Sequence, residues 1–496
     1  MDFSCYTLTL YALSLLLILL LLKSLKLWTL DAPSGNFPPG PWALPVIGNL
    51  HMINIKRPNE TYMKLAKIYG PVYSIQMGTL KMVILSGYET VKSALVDYAD
   101  DFSERGHIRI FEEINQGWGI PFSHGENWRA MRRFTLSKLR DFGMGKKTIE
   151  DRIIEECGFL TRKLESLEGK PTELTTKTNF AIGNIIISII LGHRLDYEDP
   201  ALFKVMTIID ENMRLLGSSS IALYNVLPGF KYVSDAHIKI MKNVKELHTF
   251  FNNKFVEHLK TLDKDDQRGY IDAFLIKQEE EKLDPNTYFH ENNLLSILTT
   301  LFMAGTDTTS STIRWAITFM VLKPEIQKRV HDEIDKVIGS AVPRIDHRKD
   351  MPYTNAIIHE TQRFANILPM NLPRETTRDV FFQGYNIPKG TYIIPLLESV
   401  LHDETQFEKP RSFYPEHFLG SEGQFVKRFA FMPFSAGRRV CVGETLAKME
   451  LFLFFTSLMQ KFTFRPSPEI NEFHAKRATG LAIPPISQKI CCVSRI

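Results

Sequence analysis

The chain has 496 residues, 44% of them hydrophobic, and 26 prolines; it is long for a single domain, and its composition excludes disorder of the chain as a whole. Its net charge of +4 is small for this length and gives no support for nucleic-acid binding, which requires basic clusters on one face. The cysteines show neither zinc-ligand spacing nor a disulfide framework, which indicates a reducing compartment for most of the chain; they are Cys5, Cys157, Cys441, Cys491 and Cys492.

The N-terminal segment is long and apolar enough to span a membrane. Residues 3–22 carry no charge, and residues 13–22 are almost all leucine. A helix of about 20 residues crosses the ~30 Å hydrocarbon layer. Because Lys23 and Lys26 follow this segment, the positive-inside rule predicts a lumenal N-terminus and a cytosolic remainder. We therefore expect residues 1–26 to be a transmembrane anchor; the alternative, a cleaved signal peptide, lacks a basic start and a small-residue cleavage site.

A proline-rich segment follows the predicted anchor. Five prolines between residues 33 and 45 resist both helix formation and sheet pairing, so residues 27–45 are predicted to form a semi-rigid stalk. No later stretch is typical of a linker. Residues 46–496 are therefore predicted to form one catalytic domain.

Helical periodicity dominates beyond the stalk, with a minority of strand signals. Residues 72–77 and 81–86 flank Gly78 like a β-hairpin, and residues 385–387 and 392–394 flank a Pro-Lys-Gly turn. The predicted fold class is mainly α with a small β portion (α+β), in one large helix-rich globule.

Residues 293–322 are apolar on nearly every helical face, which predicts a long helix through the middle of the protein. A second membrane span is the competing interpretation, and Asp307 and Arg314 argue against it. Gly305 within this helix costs about 1 kcal/mol relative to alanine, so its presence needs a reason. These residues allow two interpretations. The first, which they favour, is a strained helix with a hydrogen-bonded Thr–Asp cluster. The second is that the acid Asp307 and the hydroxyl of Thr308 relay protons.

A second segment, residues 434–443, places a cysteine on a glycine-rich loop that leads into a helix. Unpaired N–H groups at a helix N-terminus favour the thiolate form of Cys441. The same donors would hydrogen-bond the sulfur and tune its donation to a metal. Gly437 allows a tight turn, and Gly443 allows close approach of a flat group. A buried structural cysteine is an equally open alternative on these residues alone.

Residues 434–443 match the pattern Phe-x-x-Gly-x-Arg-x-Cys-x-Gly at every fixed position, and the chain therefore resembles the cytochrome P450 haem-thiolate monooxygenases, in particular vertebrate microsomal family two. The resemblance implies the cytochrome P450 fold and a haem b cofactor whose iron is ligated by Cys441. It implies that Phe434 packs over the sulfur side. It also implies that Asp307 and Thr308 deliver protons and that Gly305 makes room for oxygen.

The resemblance extends to a structural trio and a haem-carboxylate clamp. Glu360 and Arg363 form an i,i+3 pair that is weak evidence alone but resembles the family's Glu-x-x-Arg pair. In the family a third residue, usually an arginine, completes a trio with this pair; here that residue is His417. Four residues form the expected clamp for the two haem propionates: Trp128, Arg132, Arg374 and Arg439. An arginine of this kind taken singly is more often a surface residue, but the resemblance implies that the four act together.

The expected substrate pocket is apolar, and about half of its predicted members are expected to be ordinary core residues. It draws on the loop before Trp128, the central helix and the segment after Arg363, with these members: Ile108, Phe111, Ile114, Phe302, Ala304, Thr309, Ile367, Leu368 and Leu481. Arg105, His107 and Arg109 in the same loop suggest a carboxylate anchor and hence a fatty acid, although a solvated loop is the default interpretation.

The resemblance also implies partners and a location. Electrons are expected from NADPH through a flavoprotein reductase, with a cytochrome b-type donor as a further candidate. The reductase is expected to dock at Arg129, Arg133, Lys138 and Arg140. An ordinary solvated helix face explains these four residues equally well. The expected location is the endoplasmic reticulum membrane, in contact with membrane lipid.

The sequence is compatible with four candidate functions. A monooxygenase acting on fatty acids, steroids or xenobiotics comes first. A haem-thiolate isomerase or dehydratase acting on lipid peroxides is disfavoured by the intact Asp307 and Thr308. The others are a non-enzymatic haem-binding sensor or carrier and an anchored interaction protein without haem.

Overall fold

The computed structural model of the protein describes residues 11–12, 14–15 and 35–495. Most of the predicted anchor and the first part of the predicted stalk lie outside these residues. Among the helices of the described ranges, none combines the length and the apolarity needed to cross a membrane, and this includes the long central helix.

The fold is rich in helices, as predicted. In chain order the α-helices are α1 Pro58–Tyr69, α2 Tyr88–Lys92, α3 Arg109–Asn115, α4 Gly125–Asp141, α5 Lys147–Glu165, α6 Thr175–Leu191, α7 Pro200–Leu216, α8 Ser219–Val226, α9 Ala236–Lys260, α10 Tyr270–Glu280, α11 Glu291–Leu322, α12 Pro324–Val337, α13 Pro352–Ala365, α14 Leu397–Leu401 and α15 Glu444–Lys461.

The strands form a small β portion, so the predicted α+β class is confirmed. They are β1 Val72–Met77, β2 Leu80–Leu85, β3 Glu104–Arg105, β4 Arg374–Glu375, β5 Val380–Phe382, β6 Tyr385–Ile387, β7 Tyr392–Pro395, β8 Phe462–Pro466 and β9 Ile490–Ser494. One sheet has the order β1-β2-β7-β4-β3, and two further pairs are β5-β6 and β8-β9. Only β2 and β7 pair in parallel within the described sheets.

The predicted hairpin is confirmed, and the two strands predicted on either side of the Pro-Lys-Gly turn are also present, but they do not pair with each other. Strands β1 and β2 pair in antiparallel fashion from Val72 opposite Leu85 to Met77 opposite Leu80. Strand β6, however, pairs with β5 and not with β7. Gln383 and Gly384 both have positive φ, 47° and 87°, which is the geometry of a tight hairpin turn that joins β5 to β6. The turn after β6 instead sends β7 to the five-stranded sheet.

The described part of the predicted stalk lies against the sheet. The Ser74 amide donates to the Pro39 carbonyl at 2.7 Å, and the Ser74 hydroxyl donates to the Pro38 carbonyl at 2.9 Å. The Asn386 amide donates to the Asn36 carbonyl at 2.8 Å. Residues 36–39 are therefore attached to β1 and β6 by backbone and side-chain hydrogen bonds.

Helix α11 crosses the core, as its apolar sequence predicts. It packs along α6 and also contacts α9, α13 and α15. Pro324 begins the next helix, which explains where α11 ends, because proline removes the N–H that would continue the helix. Helix α15 follows the Cys441 loop directly, so the two segments with predicted chemistry lie on packed elements.

Candidate active site

The Cys441 loop is shaped by Gly437 and closed by a backbone hydrogen bond. Gly437 has φ 73°, and a Cβ there would lie 1.7 Å from the Leu95 carbonyl oxygen. No other residue fits this position without moving backbone. The Cys441 amide donates to the Phe434 carbonyl at 3.1 Å, which turns the loop back before α15 begins. Phe434 itself is half-buried, with the Lys448 ammonium 5.6 Å from its ring.

The Cys441 sulfur lies at the start of α15. Burial raises the pKa of its thiol, while hydrogen bonds from the Gly443 and Glu444 amides lower it, as expected near a helix N-terminus. Cys441 is nevertheless exposed to solvent. The sulfur is therefore surrounded by protein but lies on an accessible, inward-facing surface.

Ala304 shows the same combination on the central helix. It is exposed although it lies midway along α11, between the buried residues Phe302 and Thr306. Thr308 is one turn further on, and its hydroxyl donates to the Ala304 carbonyl at 2.7 Å. Ala304 and Thr308 therefore share one accessible stripe of α11.

Four guanidinium groups converge beside the cysteine loop. Arg374, Arg439 and Arg105 are 1%, 4% and 5% exposed. Arg132 donates to the Val440 carbonyl at 2.6 Å, next to Cys441. The Arg439 guanidinium stacks over the Trp128 ring at 3.6 Å. The structure thus brings together all four predicted clamp residues and adds Arg105.

The cluster is short of negative charge. Glu104 supplies a carboxylate 3.5 Å from Arg439 but shares it with His124 at 2.8 Å. Burial and the neighbouring arginines lower the pKa of Arg374 to about 9 and that of Arg439 to about 8. Buried cations without counter-ions are costly, so the cluster is suited to an anionic ligand.

Two buried donors in the cluster point to the same conclusion. Arg374 Nε and Trp128 Nε1 have no hydrogen-bond partner in the described structure. Arg374 Nη2 donates to the Ser435 hydroxyl and the Ala436 carbonyl, and Arg439 donates to the carbonyls of Ser103, Ile120 and Ser123. A group with two carboxylates beside Cys441 fits this donor set, and the haem propionates are such carboxylates.

Asp307 and Thr308 lie side by side on α11, but no hydrogen bond between them is present in the described structure. Asp307 is 4% exposed, and its Oδ2 atom has no partner. Burial raises the pKa of Asp307 to about 7, which Arg314 partly offsets and Asp210 reinforces. The acid is therefore protonated to a substantial fraction near neutral pH.

Gly305 has a packing reason that the sequence did not reveal. A Cβ at this position would lie 2.7 Å from Ile186 Cδ1 on α6. The glycine thus allows α6 and α11 to approach closely. Its predicted role in making room for oxygen stays a prediction.

Four predicted pocket residues pack in one apolar cluster, which we call the pocket cluster. They are Ile108, Phe111, Ile114 and Leu481, and they join buried residues of α3, α7, α8 and α9. Met303 belongs to the same cluster and was not predicted, because an all-apolar helix gives no indication of which face lines a pocket. Ile367 and Leu368 are half-buried, and Ile367 packs against the main core.

Phe302 and Thr309 lie outside the pocket cluster, and their role as pocket residues stays a prediction. Phe302 is fully buried and packs edge-on against Phe251 of α9 at 5.9 Å. The Thr309 hydroxyl donates to Glu450 Oε2 of α15 at 3.1 Å. Both side chains follow the face of α11 turned toward the core.

The three side chains of the predicted carboxylate anchor are paired within the protein, and their role as an anchor stays a prediction. Arg105 donates to the carbonyls of Pro121 and Leu372 within the arginine cluster. His107 pairs with Glu112. Arg109 pairs with Glu113 at 3.2 Å, so each of the three side chains already has a partner.

The structural trio is assembled in the core. Arg363 donates to both Glu360 oxygens at 2.7 Å, and His417 Nδ1 lies 3.2 Å from the same carboxylate. Arg363 also donates to the carbonyls of Leu401, Pro410 and Ser412. The trio therefore ties α13 to the segment that leads to the cysteine loop.

A basic groove lies on the surface near α4. Its lining includes Arg129, Arg133, Arg140 and Arg438. Arg129 pairs with Glu126, and Arg438 pairs with Asp100 at 2.8 Å. Lys138 lies outside the lining and pairs with Asp141.

Comparison with known proteins gives consistent matches over nearly the whole chain. The family model described as Cytochrome P450 matches residues 38–492. Cytochrome P450 2K4 of Oncorhynchus mykiss is 46% identical over 467 residues, which cover 93% of this chain and 92% of the relative. Cytochrome P450 2K6 of Danio rerio is 47% identical, with 91% and 90% covered. Cytochrome P450 2F3 of Capra hircus is 42% identical, with 97% and 99% covered.

Proposed function

The chain belongs to the cytochrome P450 family and is a haem-thiolate monooxygenase, and on this basis we propose that it hydroxylates or epoxidises apolar small molecules. Its cofactor is haem b, and its electrons come from NADPH through a reductase. Fatty acids, steroids and xenobiotics are the candidate substrate classes. The pocket cluster supports this choice, because its apolar side chains favour contact with an apolar ligand.

The observation that carries the proposal is the buried arginine cluster beside Cys441. In the proposed site, Cys441 ligates the iron, Trp128, Arg132 and Arg374 hold the propionates, and Arg439 and Arg105 add positive charge. Haem ligated by a thiolate supplies the oxygen-activating chemistry of the family. The unpaired donors of Trp128 and Arg374 support this assignment.

Asp307 and Thr308 are the proposed proton-handling residues. Asp307 is protonated to a substantial fraction near neutral pH because its carboxyl group is buried. The Thr308 hydroxyl is fixed on the accessible stripe of α11 by the Ala304 carbonyl. Because the two side chains share no hydrogen bond, a proton that leaves Asp307 would need a side-chain rotation or a bridging water to reach Thr308. An acid poised near the working pH suits this role.

The proposed cellular setting follows from the sequence and the family. We place the N-terminus in the lumen of the endoplasmic reticulum, residues 1–26 in its membrane and the catalytic domain in the cytosol. The reductase is proposed to dock at the basic groove near α4, where complementary charge accelerates association with an acidic partner.

The first experiment compares the carbon monoxide difference spectrum of the reduced protein with that of a Cys441→Ser variant. A red-shifted thiolate-type Soret band in the parent, lost in the variant, supports Cys441 as the ligand. Turnover of apolar substrates with reductase and NADPH then tests the substrate class. A band that survives in Cys441→Ser would contradict the ligand assignment.

A further inference from the structure

A polar clasp joins α3 to α8 at the edge of the pocket cluster. Arg109 Nε lies 3.2 Å from Glu113 Oε1, one helical turn along α3. The Tyr224 hydroxyl of α8 lies 2.6 and 2.7 Å from the two oxygens of the same carboxylate and donates to it. The Arg109 guanidinium stacks over the Tyr224 ring at 4.1 Å. Glu113 is therefore held between a cation and a hydroxyl group.

Backbone contacts fix the two helices on either side of the clasp. The Ile110 amide donates to Asn225 Oδ1 at 3.1 Å. Arg109 Nη1 also donates to the Pro228 carbonyl at 3.4 Å, in the turn that follows α8. The clasp thus closes the seam between α3, α8 and that turn.

Apolar residues lie on both sides of this seam. On the inner side, Tyr224 packs in the pocket cluster together with Phe111 and Met303. On the outer side, Tyr232 and Val233 are 83% and 74% exposed. Apolar side chains are therefore present both in the pocket cluster beside the clasp and in the exposed turn that follows α8.

The clasp carries no net charge, because Glu113 balances Arg109. Their side chains are 30% and 36% exposed, so the pair is partly shielded from water and attracts more strongly than a fully exposed pair. A ligand carboxylate that binds Arg109 has to displace Glu113. One of the two carboxylates is then left close to the other without a cation, which is unfavourable.

We propose that Glu113 is a specificity-determining residue. By engaging Arg109 and Tyr224, it keeps the edge of the pocket cluster between α3 and α8 neutral, so that uncharged apolar ligands bind there in preference to carboxylates with the same alkyl chain. The inference rests on the proposed function, in which the pocket cluster binds substrate, and narrows the substrate class to neutral molecules.

The test compares dodecanoate with methyl dodecanoate, which differ in charge but share an alkyl chain. Equilibrium dialysis with the haem-loaded full chain gives both affinities for the parent, Glu113→Gln, Arg109→Gln and the double variant. Glutamine keeps the side-chain size and an oxygen that accepts from Tyr224. We expect the acid-to-ester affinity ratio to rise about three- to tenfold in Glu113→Gln. The double variant should return the ratio to the parental value, because the unpaired cation is gone.

Two control variants separate this proposal from the pocket assignment. Glu112→Gln removes a carboxylate from the exposed side of α3 and should leave the ratio unchanged. Ile114→Ala should weaken binding of the ester if the pocket cluster holds the alkyl chain. An ester affinity insensitive to Ile114→Ala overturns the pocket assignment and this proposal with it. A parental ratio in Glu113→Gln, with the Ile114 effect intact, overturns the role of Glu113 alone.

Discussion

Arg105 and Arg374 lie directly opposite each other across the β3–β4 pair, and both side chains are buried. Like charges at facing positions of a sheet repel, and burial increases that repulsion. The arrangement is therefore unfavourable unless an anion joins it. The pair supports the proposal that this cluster holds the carboxylates of the cofactor.

Arg374→Leu is expected to weaken haem retention while leaving the haem-free protein at least as stable as the parent. The variant removes a buried cation that lacks a counter-ion until an anion binds. We expect haem to transfer to excess apomyoglobin about tenfold faster, because one charge-assisted contact is lost. Denaturant unfolding of the haem-free variant checks the second part.

Arg438→Gln is the matched control, because Arg438 is next to Arg439 but exposed and paired with Asp100. It should retain haem like the parent. Parental retention in Arg374→Leu, or destabilisation of its haem-free form, would show that Arg374 serves the fold and not the cofactor.

Asp307→Asn is expected to reduce the yield of product per NADPH consumed. Asparagine keeps the shape of the buried side chain but has no proton to release at neutral pH. General acid catalysis contributes at least about 100-fold to many reactions, so the fall in product formation should be on the order of tenfold or more. Product, NADPH and hydrogen peroxide measured in one reaction check this.

Ser310→Ala serves as the comparison for Asp307→Asn. Ser310 is also buried on α11, and its hydroxyl donates to the Asp307 backbone carbonyl at 3.2 Å. A loss of coupling equal in both variants would indicate damage to the helix and would remove the support for a proton-handling carboxyl group.

Short motifs with fixed spacing were readable in the sequence, because their geometry is local. The Cys441 loop, the Asp307–Thr308 pair and the Glu360–Arg363 pair each lie within a single turn or helix. Their neighbours in the chain are also their neighbours in space. The structure therefore places these residues where the patterns suggested.

Features that depend on distant pairing were not readable. Arg105 joins the arginine cluster only because β3 pairs with β4, which comes from a remote part of the chain. The pairing of β6 with β5 was not predicted, because turns lie on both sides of β6 and it is the one at Gln383 and Gly384 that forms a hairpin. The packing of Phe302 against α9 was not predicted, because the central helix is apolar on nearly all faces.

Gly437→Ala is expected to damage the cysteine loop far more than Gly423→Ala. Both glycines have positive φ, 73° and 80°, so alanine costs about 1 kcal/mol of backbone strain at each. At Gly437 a Cβ also meets the Leu95 carbonyl, whereas nothing lies within 4 Å of a Cβ at Gly423. The haem content of the purified variants and their denaturant midpoints measure the difference. Similar losses in the two variants would mean that the loop accommodates the methyl group by moving.

Glu450→Gln is expected to be more stable than the parent at high pH and similar to it at low pH. Burial raises the pKa of Glu450 from 4.5 to about 8. Between these values the folded protein keeps a proton that the unfolded chain releases, so the parent loses stability as pH rises through this window. Glutamine carries no titrating proton, so the variant does not lose this stability, which is on the order of 2–4 kcal/mol at pH 8. Urea midpoints of the parent and the variant from pH 5 to pH 8.5 measure it, with the exposed Glu279→Gln as control. If the urea midpoints of the parent and the variant change in parallel with pH, the carboxyl group is ionised or hydrated in the folded protein. The hydrogen bond from Thr309 would then not be its only polar contact.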